Sequence, residues 1–165
     1  MTAVVFLSYG TSLRDWERQG ILEQEVRVHR EGEESMYLVA PDLDDAGIIL
    51  PDGVRALFRP RWMPGLLYAV LSPLVHWRTM RRCEVFRGHN GRALWAPALA
   101  RWLYGGTLVI RFGYLWSWDA IQRGQHGCKL RMILCSEWLA CRMADTILVA
   151  APWQAAYLRD VHGVE

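Results

Sequence analysis

Three short segments hold the residues best suited to chemistry. His89-Asn90 follows the run Glu84-Phe86, and an imidazole there could hydrogen-bond a sugar hydroxyl or a developing charge. A surface-loop histidine is the ordinary alternative, and Asn90-Gly91 is also a common turn pair. Gly10-Thr11-Ser12 closes the apolar run Ala3-Ser8. Glycine admits close approach of backbone to a ligand, and amides at a helix start favour anions, although a plain turn glycine looks the same. Arg111 stands at the end of Thr107-Phe112, and a charge in a covered strand needs a partner, either a structural carboxylate or a ligand phosphate. Tyr114, Trp116 and Trp118 come next, spaced as aromatics are that stack on sugar, touch lipid or pack on a neighbouring domain.

Several chemistries are disfavoured. Neither GxGxxG nor GxxxxGK[ST] occurs, which counts against a dinucleotide oxidoreductase and a P-loop enzyme. GxSxG is missing, and Ser8, Ser12 and His89 have no spacing that suggests a nucleophile triad. The cysteines, Cys83, Cys128, Cys135 and Cys141, form no CxxC pair, and no nearby histidine pair completes a zinc pattern, so no metal is expected. They read as buried free thiols in a reducing compartment. The net charge of +2 is too small to argue for nucleic acid. Its make-up is unusual: Lys129 is the single lysine, and arginine supplies the remaining positive charge. Arginine suits bidentate contacts with carboxylates and phosphates, although composition bias gives the same pattern. Nine tryptophans are more than a core of this size needs, so some are expected at a lipid, sugar or protein interface.

The elements that must position these residues alternate along the chain. The 165 residues suit one domain, and 52% hydrophobic content is enough to bury a core. Strands are predicted at Ala3-Ser8, Met36-Ala40, Ile48-Leu50, Glu84-Phe86, Thr107-Phe112 and Thr146-Ala150. A helical turn near Leu13 follows a Ser12/Asp15 cap signal. Longer helices are predicted over Ile21-Arg30, Leu66-Arg82 with a kink at Pro73, Arg92-Tyr104, Lys129-Arg142 and Pro152-Asp160. Strands apolar on both faces imply a parallel sheet with helices above and below, an α/β Rossmann-like fold. Ligands in such sheets bind beyond the carboxyl ends of the strands, so the loops Tyr9-Trp16, Arg87-Gly91 and Gly113-Asp119 should share one edge. No stretch reads as a signal peptide, and Leu66-Trp77 is too short to span a bilayer. With Arg78, Arg81 and Arg82 behind it, Leu66-Arg82 reads either as a helix on an anionic membrane surface or as a sheet-covering helix with a solvated basic end.

The succession "FLSYGTSLRDWERQGIL", "SPLVHWRTMRRCEVF", "LVIRFGYLWS" and "ADTILVAAP" resembles the amino-terminal domain of GT-B glycosyltransferases of the family 4 type. The resemblance spans nearly the whole chain, and its most specific piece is Leu108-Ser117. It implies a single acceptor-side half of a GT-B fold over residues 1–165, with the carboxy-terminal donor-binding domain absent. Gly10, with Thr11 and Ser12, would approach the donor diphosphate. His89 would face the reacting sugar as the catalytic residue, and it departs from the Asn-Gln type pair that relatives often carry there. Trp16, Asn90, Arg111, Tyr114 and Trp116 would line the acceptor cleft. The implied reaction is metal-independent hexose transfer from a nucleotide-diphosphate sugar to a glycan or lipid-linked acceptor, as in polysaccharide biosynthesis. The expected setting is cytoplasmic, at the inner face of the membrane. The partner expected is a donor-binding domain, without which the chain is inactive. A non-catalytic module with the same fold, docking on such a partner or on a membrane, is the alternative. An aromatic patch exposed near Tyr114-Trp118 and the chain end is expected of a half that completes a cleft.

Overall fold

The computed structural model describes the chain except for Tyr9, Glu31, residues 44–46, residues 90–92 and Glu165. Six strands form one parallel sheet: β1 (Thr2–Phe6), β2 (Ser35–Ala40), β3 (Val54–Phe58), β4 (Val85–His89), β5 (Thr107–Phe112) and β6 (Thr146–Val149). Their order, β3-β2-β1-β4-β5-β6, is the doubly wound Rossmann order, which reverses direction between β1 and β4.

Helices cover both faces, as the doubly apolar strands require. On one face, α1 (Leu13–Arg18) and α2 (Leu22–Arg30) bury Leu13, Trp16, Leu22 and Val26 against Val5, Met36 and Leu38. On the other lie α3 (Gly65–Val75), α4 (Trp77–Met80), α5 (Trp95–Tyr104), α6 (Trp116–Gln122), α7 (Cys128–Met143) and α8 (Pro152–His162). The larger core sits beneath this layer, where Tyr68, Met80, Ala100 and Leu158 close over Phe6, Phe86, Ile110 and Phe112.

Local signals explain most element ends. Ser12 caps α1, its hydroxyl accepting from the Arg14 amide at 3.1 Å. Pro152 opens α8, and Gly163 closes it in the left-handed region at φ 64°. Gly88 lies inside β4 because α5 approaches closely there: a Cβ would stand 3.0 Å from Ile110 Cδ1 and 3.3 Å from the Ala93 carbonyl.

Five expectations need correction. The third strand is Val54–Phe58, and Ile48-Leu50 precedes it as irregular chain with Ile49 exposed. The Pro51-Asp52-Gly53 turn therefore opens that strand rather than closing one. As an edge strand it tolerates Arg55, which breaks the apolar pattern. β4 runs on to His89, pairing His89 with Arg111 of β5, so Gly88 and His89 are strand residues and not loop. The break in the segment Leu66-Arg82 falls at His76 (φ −105°, ψ 30°), while Pro73 sits inside α3. The segment Gly113-Asp119 is largely helical, since α6 begins at Trp116. Finally, Cys128 and Cys135 are exposed on α7; only Cys83 and Cys141 are buried.

Candidate functional site

The switch point of the sheet gathers the ends of β1, β4 and β5, and with them the segments singled out in the sequence. Gly10 leaves β1 at φ 91°, a value side chains rarely adopt, and a Cβ there would meet nothing within 4 Å. Its backbone conformation, not crowding, calls for glycine, and the space beside it is open. The residues after it are already engaged. Thr11 Oγ1 bonds Ser8 Oγ at 2.7 Å. The Ser12 hydroxyl donates to Asp42 Oδ1 at 2.5 Å, and the Leu13 amide donates to Asp42 Oδ2 at 3.1 Å. A carboxylate just past the end of β2 thus fills the anion position at the start of α1, while Gly10 is exposed.

Behind that loop a line of polar side chains crosses the α1–α2 face of the sheet. Glu33, fully buried, pairs with Arg87 at 3.0 Å, and Arg87 also donates to the His29 carbonyl at 2.9 Å. His29 Nε2 and His89 Nδ1 share a hydrogen bond of 2.9 Å. Glu25 Oε2 lies 4.0 Å from His89 Nδ1 and 3.2 Å from Arg111 Nη1. Trp16 packs edge-on against His89, ring centroids 5.0 Å apart. The exposed end of this line is Glu25–Arg111, at the carboxyl edge of the sheet; its buried end is Arg87–Glu33.

Both imidazoles are neutral at ordinary pH. Burial, then His89, Arg111 and Arg87, lowers His29 to about 3. Burial lowers His89 to about 4, the Glu25 carboxylate opposing and Arg111 reinforcing the shift. Neutral imidazoles are competent metal ligands, and Glu25, His29 and His89 offer ligand atoms within 4.8 Å of one another. The two guanidinium groups beside the cluster oppose a dication, however, and Arg111 already holds Glu25. The arrangement fits better as a hydrogen-bonded strut that orients the His89 ring.

The candidate residues therefore fall into separate environments. His89 is 7% exposed and held by His29. Trp16, 5% exposed, belongs to the core and not to an open wall. Arg111 is bound to the structural carboxylate Glu25, one of the two partners its position allowed. Asn90 lies outside the described residues. Tyr114 is exposed, and Trp116 is half-buried at the start of α6. Trp118 stacks with Trp153 and Tyr157 of α8, and Trp118 and Trp153 stay exposed, which forms the expected aromatic patch by the chain end.

Sequence reasoning missed Glu25, His29, Glu33 and Arg87. Two signals pointed to them. Glu25 and His29 are spaced i,i+4 on one helix, and Arg87 and His89 alternate along a strand that should be apolar on both faces.

This six-stranded parallel sheet with helices on both faces is an α/β Rossmann-like fold that matches a GT-B half-domain. A sucrose-phosphate synthase from Thermosynechococcus elongatus superposes with a TM-score of 0.67 at 12% identity, covering 97% of this chain and 45% of that one. A second structure of that synthase gives a TM-score of 0.57 at 13% identity, covering 95% of this chain and 81% of that one. The chain thus spans less than half the length of the first of these structures. No protein-family model and no curated protein sequence matches it.

Proposed function

We propose that this chain is the acceptor-side half of a sugar transferase of the family 4 type, which moves a hexose from a nucleotide-diphosphate sugar to a glycan or lipid-linked acceptor. The observation that supports the reading is the order of the sheet, which matches a GT-B half: Gly10 follows β1, His89 ends β4 beside Arg111 of β5, and Tyr114 follows β5 at the switch point. In this reading the open backbone at Gly10 faces the donor diphosphate. The edge of His89, its ring oriented by His29, faces the transferred sugar. Tyr114 and Trp116 form part of the acceptor wall. Charge leaves on the diphosphate through an oxocarbenium-like transition state, and backbone amides near Gly10 stabilise it. No metal takes part in the reaction. The donor-binding half comes from outside these 165 residues and supplies the cations that hold the diphosphate.

The test is turnover. The purified chain, given a panel of nucleotide-diphosphate hexoses, releases no nucleotide above the buffer rate. Robust release by this chain alone contradicts its assignment as a half site.

One observation favours a second reading, a non-catalytic module with the same fold. Asp42 closes the anion position at α1, and His89 is nearly buried. In that case the His89→Gln variant supports the same cellular glycan profile as the wild type.

A further inference from the structure

The outer surface of the α3–α5–α7 layer differs in kind from the rest of the molecule. Helix α3 buries Tyr68, Ser72 and Pro73, yet its opposite side carries Leu66, Val70 and Leu74 at i, i+4 and i+8, all exposed. A helix apolar on its solvent side as well as its core side lacks a partner. Trp77, Trp95 and Trp102 extend the apolar surface from the end of α3 across α5, and Trp102 is 76% exposed.

Two concave features lie at opposite ends of α3, which at ~1.5 Å per residue is roughly 16 Å long. At the carboxyl edge is a groove of about 520 Å³, walled by Leu66, Val70, Trp95, Trp116, Met132 and Ile133. Lys129, the single lysine of the chain, stands in its wall. At the other end is a notch of about 220 Å³ walled by Trp77, Arg78, Arg81 and Arg82. Two of those guanidiniums lie over the Trp77 ring, 5.5 and 5.4 Å from its centroid. Among the described residues, no carboxylate lies within ion-pair distance of Arg78, Arg81 or Arg82.

The exposed charge on helices α3, α4, α5 and α7 is basic, with Glu84, Asp119 and Asp145 at their margins. Helices α3, α4 and α5 contain no acidic residue, and α7 contains only Glu137, which is fully buried. Asp145, in the turn after α7, is held by Arg101 at 2.6 Å, and Glu84 lies in the turn after α4. The opposite helices, α1 and α2, are balanced: Asp15, Glu17, Glu23 and Glu25 are matched by Arg14, Arg18, Arg27 and Arg30. A basic, tryptophan-rich, apolar surface complements an anionic lipid leaflet.

We infer that the α3–α5–α7 face seats on an anionic phospholipid bilayer, with the Trp77–Arg notch holding a lipid phosphate and the Leu66–Met132 groove taking a hydrocarbon chain. Among the described residues no helix is long and apolar enough to cross a membrane, and the proposed contact is interfacial. The inference rests on surface chemistry and not on the transferase reading, and it is measured without any sugar substrate.

The test is co-sedimentation of the full chain with vesicles of phosphatidylcholine alone, and of equal parts phosphatidylcholine and phosphatidylglycerol. Binding is expected to be at least twentyfold, in order of magnitude, tighter to the anionic vesicles. Each basic group near such a surface contributes about 1 kcal/mol, or roughly fivefold. The Arg81→Glu/Arg82→Glu variant, which changes only exposed side chains, loses about twentyfold or more. Leu66→Ser/Val70→Ser changes no charge and loses about tenfold through its apolar contact. Arg27→Glu, on the opposite face, binds as the wild type does, and thermal midpoints confirm that all variants fold. Equal partition into neutral and anionic vesicles overturns the inference, and so does undiminished binding by Leu66→Ser/Val70→Ser. A dimer in solution that this last variant dissociates, with no vesicle binding by the wild type, assigns the face to a second copy instead.

Discussion

Acidification should weaken this fold well before its carboxylates protonate, because two buried histidines must stay neutral. His29 and His89 are 3% and 7% exposed and share one hydrogen bond, with Arg111 and Arg87 nearby. Their values in the folded chain, about 3 and about 4, lie below the ordinary 6.5. The unfolded chain therefore binds protons that the folded chain refuses. The stability they contribute is present in full above about pH 6.5 and is lost as pH falls toward the folded values. Between about pH 7 and about pH 5 each histidine gives up nearly 2 kcal/mol at ~1.4 kcal/mol per unit, so the pair gives up about 3–4 kcal/mol. Any folded value near 4 or below yields the same loss. His76, also lowered by burial, acts in the same direction. For a chain of this size the loss is roughly 6–16 °C in Tm. Urea unfolding followed by tryptophan emission suits the assay, since Trp16 packs on His89. The His29→Gln/His89→Gln variant is less stable at neutral pH but should recover most of that slope. Equal stability at the two pH values, or an unchanged slope in the variant, refutes the reasoning.

Four further outcomes follow from packing and backbone conformation. Glu137, fully buried, accepts from the Ser117 amide at 2.9 Å and faces His162 Nε2 at 3.4 Å, tying α6, α7 and α8 together. Glu137→Ala is expected to cost about 3 kcal/mol in chemical denaturation, because both partners are left buried. Gly88→Ala should cost about 1–3 kcal/mol by overpacking Ile110 and the Ala93 carbonyl. Gly10→Ala, which meets nothing, costs about 1 kcal/mol through its backbone alone. In native buffer a thiol reagent should label Cys128 and Cys135 promptly, whereas Cys83 and Cys141 react only on unfolding. Burial pushes those two thiols up to about 11 and about 12.

Element type was legible wherever a pattern was long or punctuated. Thr107–Phe112 was read with its observed bounds, because Gly105-Gly106 and Gly113 frame an unbroken apolar run. Val54–Phe58 was missed because one exposed Arg55 disguised an edge strand, and because a Pro-Asp-Gly turn marks a boundary without saying on which side the strand lies. The site was legible as an edge but not as an arrangement. Strand order brings Gly10, His89 and Arg111 together, and order follows from crossover handedness and apolar faces. The partners of His89 come from α2, about sixty positions earlier in the chain, and nothing local to His89 points there. Asp42 shows the same limit: a turn residue after β2 reaches across to cap α1, which spacing alone does not reveal.

The proposed role of this chain, the acceptor half of a sugar-transfer site in which His89 faces the transferred sugar, is tested by the glycan and glycolipid profile of the source cell after deletion of the gene, then after return of the wild type or of His89→Gln. Deletion is expected to remove one hexose-bearing product, restored by the wild type and not by an equally abundant His89→Gln chain. A profile unchanged by deletion, or restored in full by His89→Gln, contradicts that role.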